Sequence, residues 1–317
     1  MNFKIIPIII AVAVSVAGCR GNRKAEQFVA LPFPDAIPPA MMAEAQDRAE
    51  YMALRWWDGI TEPTREYPCD TAFVSGVRMA DVEQKFANWT NVLNMVDPEV
   101  VRKAVVRLYD RAVACEKADT SSNVFETFNS LIEKYLYDPN SPLRNEDHYA
   151  IYAERLSRSD LIEPVMQGKY AREVRLSSLN RVGTKAADFR FADKRGRIRT
   201  LYSIDAELTL LFFSNPGCTA CKSIIDVLAG DPVISGKIAD GTMAVLNIYI
   251  DEDLEAWRSY MPIYPENWCN GFDPDFVIRG ETLYNVRAIP SLYLLDRNKT
   301  VIMKDAPEAR VFDWLSR

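Results

Sequence analysis

Residues 208–223 read "LTLLFFSNPGCTACKS". The run from Leu208 to Phe213 is apolar apart from Thr209 and shows no polar alternation, the pattern of a strand covered on both faces. It ends at Ser214-Asn215-Pro216-Gly217, a turn composition, and a helical pattern follows that opens at Cys218-x-x-Cys221. Two cysteines at that spacing suit a redox centre, half of a metal site or a structural disulfide, and their position separates the three. At a helix N-terminus unpaired amides and the macrodipole favour an anion, so Cys218 is placed to act as a thiolate nucleophile. Cys221 lies one turn along the same face, placed to attack a mixed disulfide formed at Cys218. A structural zinc site needs four ligands, and the chain has no second CxxC or CxxH and a single histidine, His148, in its other half. No metal is expected, and a Ser-His-Asp or Cys-His hydrolase is poorly supplied, with His148 read as a helix-start or surface residue.

Outward from the cysteines, "MAVLNIYID" (243–251) reads as a second buried strand and "DEDLEAWRSY" (251–260) as a helix. "PSLYLLD" (290–296), a turn at Arg297-Asn298-Lys299, "TVIMKD" (300–305) and a helix "EARVFDWL" (308–315) close the chain. Upstream, Gly183 and Gly196 bracket a strand-like "DFRF" (188–191), with "GRIRTLYSI" (196–204) as its returning arm. The pattern predicts a βαβ unit followed by a hairpin and a helix, an α/β sandwich around one sheet.

From Ala40 to Leu179 the spacing is helical and glycine is scarce. In residues 97–118, Val101, Val105, Leu108 and Ala112 recur at three- and four-residue steps behind an Asp97 N-cap and Pro98 at the first helical position. Phe125, Phe128, Ile132 and Tyr135 repeat the design after a serine cap, and these aromatics read as the core of a helix bundle. "TEPTREYPCDTAF" (61–73) reads as a loop between the first two helices, and Pro32, Pro34, Pro38 and Pro39 as an extended tether into this domain.

The first residues give Lys4, an apolar run from Ile5 to Ala17 and then Val16-Ala17-Gly18-Cys19, which resembles a bacterial lipobox. That resemblance implies removal of the leader and lipid attachment at Cys19, so that acyl chains rather than a spanning helix hold the protein to a membrane. Arg20 in place of an aspartate, and "RGNRKAEQ" (20–27) in place of an acidic run, direct the expectation to the outer membrane, facing the periplasm. Without Cys19, five cysteines remain of the six, Cys69, Cys115, Cys218, Cys221 and Cys269, an odd set that cannot all pair within one chain. Cys69 is read as a free thiol, with Cys115 and Cys269 as alternative partners. The formal net charge of -6 over 317 residues offers no footprint for nucleic acid.

"LFFSNPGCTAC" (211–221) and "AIPSLYLLD" (288–296) together resemble the TlpA-type thioredoxin-like domain. "KYLYDPNSPLRNEDHY" (134–149) and "WRSYMPIYPENWCNGFD" (257–273) extend the resemblance to Gram-negative lipoproteins that join a helical domain to that fold. It implies an α/β thioredoxin-like fold at the C-terminus preceded by an all-α helical domain. The corresponding division is leader and Cys19 in 1–19, tether in 20–39, helical domain in 40–180 and thioredoxin-like domain in 181–317. It also implies a cis-proline at Pro290, beside the sulfurs, whose neighbouring backbone docks a polypeptide, with Pro216, Ile289 and Trp257 as candidates for the groove. The implied activity is a cell-envelope thiol:disulfide oxidoreductase, reducing rather than oxidising or isomerising. Its redox group is the Cys218–Cys221 pair without a further cofactor, its partners disulfide-containing envelope proteins and an upstream thiol donor. The alternative is a binding or assembly lipoprotein that uses the fold as scaffold. The chain departs from the family in having Pro216-Gly217 before the first cysteine where a tryptophan is frequent, and Thr219-Ala220 between the cysteines, so the direction of electron flow is not legible. Glu207 and Asp251 read as solvated carboxylates before proton-transfer groups. Lys222 reads equally as a solvated helix lysine or a group that biases thiolate formation, while Trp257 and Trp268 read as core before groove residues and Cys269 as a buried spectator before a third redox thiol.

Overall fold

The computed structural model describes residues 28–67 and 72–317. The leader, Cys19 and Cys69 lie outside the described residues.

Among the described residues, six α-helices build the first part, α1 (Ala45–Arg55), α2 (Met79–Leu93), α3 (Pro98–Ala118), α4 (Val124–Ile132), α5 (Glu146–Leu156) and α6 (Pro164–Ser177), with a π-helical turn, Glu133–Tyr137, continuing α4. The Asp97 carboxylate accepts the Glu99 amide at 2.9 Å and Pro98 opens α3, which buries Val101, Val105, Leu108 and Ala112 as their spacing requires. Trp57, beyond the end of α1, meets Phe128 of α4 edge-on at 4.8 Å between centroids and Trp89 of α2 at 5.8 Å. One feature has no signature in the sequence pattern: a two-stranded hairpin, β1 (Phe73–Val74) and β2 (Val77–Arg78), ends the loop before α2. Its arms are too short to show alternation.

The described part of the proline-rich tether touches the helical domain. Residues from Phe28 to Ala40 have no regular structure but lie against the helical core. Phe33 stands edge-on to Trp57 at 5.8 Å, Leu31 N–H donates to Gly76 O at 2.8 Å, and Pro34 fills the space that a side chain at Gly59 would need. Proline keeps the segment extended, and the half-buried Phe33 packs it against the helical core.

The second part carries a seven-stranded sheet in the order β4-β3-β7-β6-β5-β8-β9. Its strands are β3 (Arg190–Asp193), β4 (Ile198–Thr200), β5 (Leu208–Phe213), β6 (Met243–Tyr249), β7 (Cys269–Phe272), β8 (Ser291–Asp296) and β9 (Val301–Met303). β5, β6 and β7 run parallel; β8 is antiparallel to β5, with Phe213 opposite Ser291, and β3 is antiparallel to β7. Strand β5 is buried on both faces. Leu210 and Phe212 pack with α7 (Thr219–Gly230), α8 (Pro232–Ala239) and α11 (Glu308–Leu315), whereas Leu211 and Phe213 pack with Phe189, Phe191, Tyr284 and Tyr293. Helices α9 (Leu254–Tyr260) and α10 (Val277–Gly280) flank β7 in the chain. The sequence pattern had placed no strand at 269–272, because Asn270 and Gly271 are poor strand formers; pairing with β6 and β3 on either side overrides that preference. The architecture is a thioredoxin-like fold preceded by a helical domain. Asn180 marks the junction, its side chain donating to Leu283 O at 3.0 Å and accepting from Ala187 N at 2.8 Å. Among the described residues no helix is long and apolar enough to cross a membrane.

Candidate active site

The end of β5 delivers the chain into Ser214-Asn215-Pro216-Gly217, with Gly217 at φ +73°, a conformation that glycine adopts without strain. Cys218 is the N-cap of α7, and its Sγ accepts the amide N–H of Cys221 at 3.2 Å. A sulfur held there as an anion receives a charge-assisted hydrogen bond at the positive end of a three-turn helix. Cys218 is partly exposed, while Cys221 is 1% exposed and belongs to the core under the sheet. Burial, followed by the hydrogen bond with the Cys218 sulfur, pushes the Cys221 thiol well up. Both cysteines are free thiols, as are Cys115 and Cys269.

Because Phe213 pairs with Ser291, the segment before β8 lies beside the turn that carries the cysteines. The Ile289–Pro290 peptide is cis, both residues are partly exposed, and Ile289 packs against the cores on both faces of the sheet. Pro216 is likewise partly exposed on the approach to Cys218. Trp257 is not a groove residue: it is 2% exposed and stands edge-on to Phe272 of β7 at 5.0 Å. Its indole faces inward from α9 because β7 offers an aromatic surface there, so it supports the site from behind. Trp268 is also core, edge-on to Phe212 at 6.4 Å.

The two carboxylates weighed from the sequence are engaged with other side chains. Glu207 is exposed and bonded to Arg297 at 2.6 Å. Asp251 accepts from Asn215 Nδ2 at 2.7 Å and is paired with Arg279, so it fixes the first turn residue after Ser214. Lys222 pairs with Asp226 one turn along α7. Beneath the turn lies a buried neutral chain that sequence reasoning missed. Ser214 Oγ donates to Asn247 Oδ1 at 2.5 Å, and Asn247 Nδ2 donates to Asn270 Oδ1 at 3.0 Å. Since the serine has a single hydrogen, the Tyr264 hydroxyl donates to Ser214 Oγ, at 3.4 Å. Tyr264 shares the core cluster of Cys221, and burial raises its phenol. The one signal in the sequence was Asn247, a polar residue inside an otherwise apolar strand. Cys269 lies at the far side of β7, its sulfur 3.3 Å from Arg199 Nη1, and burial raises its thiol. His148 sits in the first turn of α5 and is partly exposed; desolvation and then the Arg310 charge lower it to about 4. Among the described residues no group of three or more His, Cys, Asp or Glu is arranged to hold a metal ion.

Residues 17–180 match the model of a domain of unknown function, DUF5106. The crystal structure of a thioredoxin-like protein from Bacteroides caccae is 34% identical, with a TM-score of 0.76 over 90% of this chain and 99% of that one. The C-terminal domain of a protein from Bacteroides fragilis is 46% identical over 44% of this chain and 99% of its own, with a TM-score of 0.42. A domain of a possible thiol-disulfide isomerase from Cytophaga hutchinsonii is 27% identical over 44% of this chain and 92% of its own, with a TM-score of 0.36. No curated protein matches the sequence. The first of these similarities extends through both domains, and the family model spans the helical one, so the chain belongs to the DUF5106 family, in which it joins that domain to a thioredoxin-like domain.

Proposed function

We propose that this protein is a thiol:disulfide oxidoreductase of the cell envelope, of the TlpA type, that reduces disulfides in exported proteins. The observation that carries the proposal is the partly exposed Cys218 sulfur capping α7 above a buried Cys221 thiol, next to the Pro290 turn. In the reducing direction the Cys218 thiolate attacks one sulfur of a substrate disulfide. That S–S bond breaks, the far sulfur leaves as a thiolate and takes a proton, and Cys218 is left in a mixed disulfide. Cys221 then loses its proton and attacks the Cys218 sulfur, which releases the second substrate thiol and leaves a Cys218–Cys221 disulfide. Two electrons and two protons have passed to the substrate, and an upstream thiol donor must restore the pair. The redox group is the cysteine pair itself. The Cys19 motif supports a lipid anchor at the outer membrane, facing the periplasm, and Pro290, Ile289 and Pro216 supply the surface against which a substrate strand lies.

A redox titration of the chain beginning after Cys19, followed by alkylation and mass measurement, tests the reading. The wild type should exchange two electrons with glutathione. Cys218→Ala should not, and Cys221→Ala should accumulate mixed disulfides. A pair that fails to equilibrate with added thiols, or a Cys218 no more reactive than Cys115, would make the fold a scaffold instead.

A further inference from the structure

The junction of the two domains buries a cluster of charges that the exchange chemistry does not use. The helical domain contributes the buried Arg144 and Glu146 and, at the rim, the partly exposed Asp147, the last two at the start of α5. The thioredoxin-like domain contributes Arg287, in the segment that leads to Pro290, with Lys304 and Asp305 just after β9. Three cations therefore face three anions. Glu146 pairs with Arg287 Nε at 2.6 Å and with Lys304 at 2.9 Å, Asp305 pairs with Arg287 Nη2 at 3.1 Å, and Lys304 reaches Asp147 at 3.9 Å. The Arg287 guanidinium lies 4.3 Å over the ring of Tyr137, which stacks on Tyr149 of α5 at 4.1 Å. Ion pairs this deep carry a desolvation cost that well-packed apolar side chains would avoid, so their contribution is geometric before it is energetic.

What the cluster holds is the Pro290 segment, from both sides. Before the proline, Asn285 Nδ2 donates to Glu146 Oε1 at 2.8 Å and Arg287 is held by Glu146 and Tyr137. After it, Ser291 Oγ donates to Asp305 Oδ1 at 2.7 Å. The helical domain secures that second anchor as well: Arg144 donates to Asp305 O at 2.8 Å and to Ala306 O at 2.9 Å. From this geometry we infer that the helical domain serves the exchange reaction as a positioning element, in which Glu146 and Arg144 fix the backbone around Pro290 against which a polypeptide disulfide lies. The inference rests on the thiol–disulfide reading above. It gives the domain a task that small disulfides do not need, since these reach the Cys218 sulfur without lying along the Pro290 segment.

Glu146→Gln in the full chain tests it, because the substitution keeps shape and removes the charge that Arg287 and Lys304 share. Reaction of Cys218 with iodoacetamide should stay within about twofold of wild type, while KM for a polypeptide disulfide rises about tenfold with kcat little changed. Amide hydrogen exchange over residues 285–292 should accelerate about tenfold or more. A folded variant with wild-type KM would overturn the positioning role. If the wild type reduces no polypeptide disulfide, the functional reading fails by itself, and hydrogen exchange still decides the inference: unchanged protection of 285–292 sinks it. Should Glu146→Gln not fold, Arg144→Lys, which keeps the charge and gives up one of the two carbonyl contacts to the thioredoxin-like domain, carries the same measurements with the same expected direction.

Discussion

Three positions separate Cys218 from Cys221, and so does the boundary between water and core. Cys218 reaches solvent as the cap of α7; Cys221 points into the cluster formed by Phe212, Ile224 and Trp257. Only thiolate attacks a disulfide, and burial holds the Cys221 thiol well above its ordinary range, so the second step of exchange runs on a small deprotonated fraction. Below the thiol's own pKa that fraction grows about tenfold per pH unit. Decay of a mixed disulfide on Cys218 should therefore accelerate about tenfold per unit from about pH 6 to about pH 8, without a plateau. Acid quench and mass measurement after mixing with a peptide disulfide would follow it, and a plateau near neutrality would mean that Cys221 is already ionised despite its burial. The pair was legible in the sequence because CxxC after an apolar run is a local signal. Its setting was not: Ser214, Asn247 and the pair Tyr264 and Asn270 come from three separate stretches, and only the sheet brings them together.

Among the elements, β7 is the instructive one. "LTLLFF" and "MAVLNIY" announce themselves by hydrophobicity because each is covered on both faces, whereas "CNGF" carries no such pattern. Gly271 is required there by space rather than by backbone angle. A Cβ at that position would lie 2.6 Å from Phe191 Cδ2 and 2.8 Å from Ala192 O, so β3 can pair with β7 only over a residue without a side chain. Gly271→Ala should lower unfolding stability by about 1–3 kcal/mol, since the carbonyl cannot move without disturbing the pairing. Urea unfolding would read it as a lower midpoint at unchanged slope. A variant as stable as wild type would mean that β3 sits loosely on the sheet. The same tertiary override hid the docking of residues 28–40, where proline-rich composition suggested reach and Phe33 supplied a contact instead.

At the scale of the whole molecule, the helical and thioredoxin-like domains meet through polar groups that no sequence pattern marks as partners. Glu146 and Arg287 are paired across most of the second domain's length, and each is an ordinary charged residue in its own neighbourhood. His148, the one histidine of the chain, is partly exposed near the same junction, where desolvation and then the Arg310 charge on α11 lower it from 6.5 to about 4. Between those two values the unfolded chain binds a proton that the folded chain does not, so stability is fully present above about pH 6.5 and is lost as the pH falls towards 4. One pKa unit is worth 1.36 kcal/mol, which sets the loss from this side chain at about 3 kcal/mol at most. Carboxylates titrate over part of the same range, and comparison with His148→Gln removes their contribution. Urea midpoints measured at about pH 7 and about pH 4.5 should fall in both proteins, but His148→Gln should retain about 2 kcal/mol more of its neutral-pH stability than wild type does. Equal losses would show that the imidazole is as easily protonated in the folded chain as in water, and that the junction around α5 and α11 admits solvent.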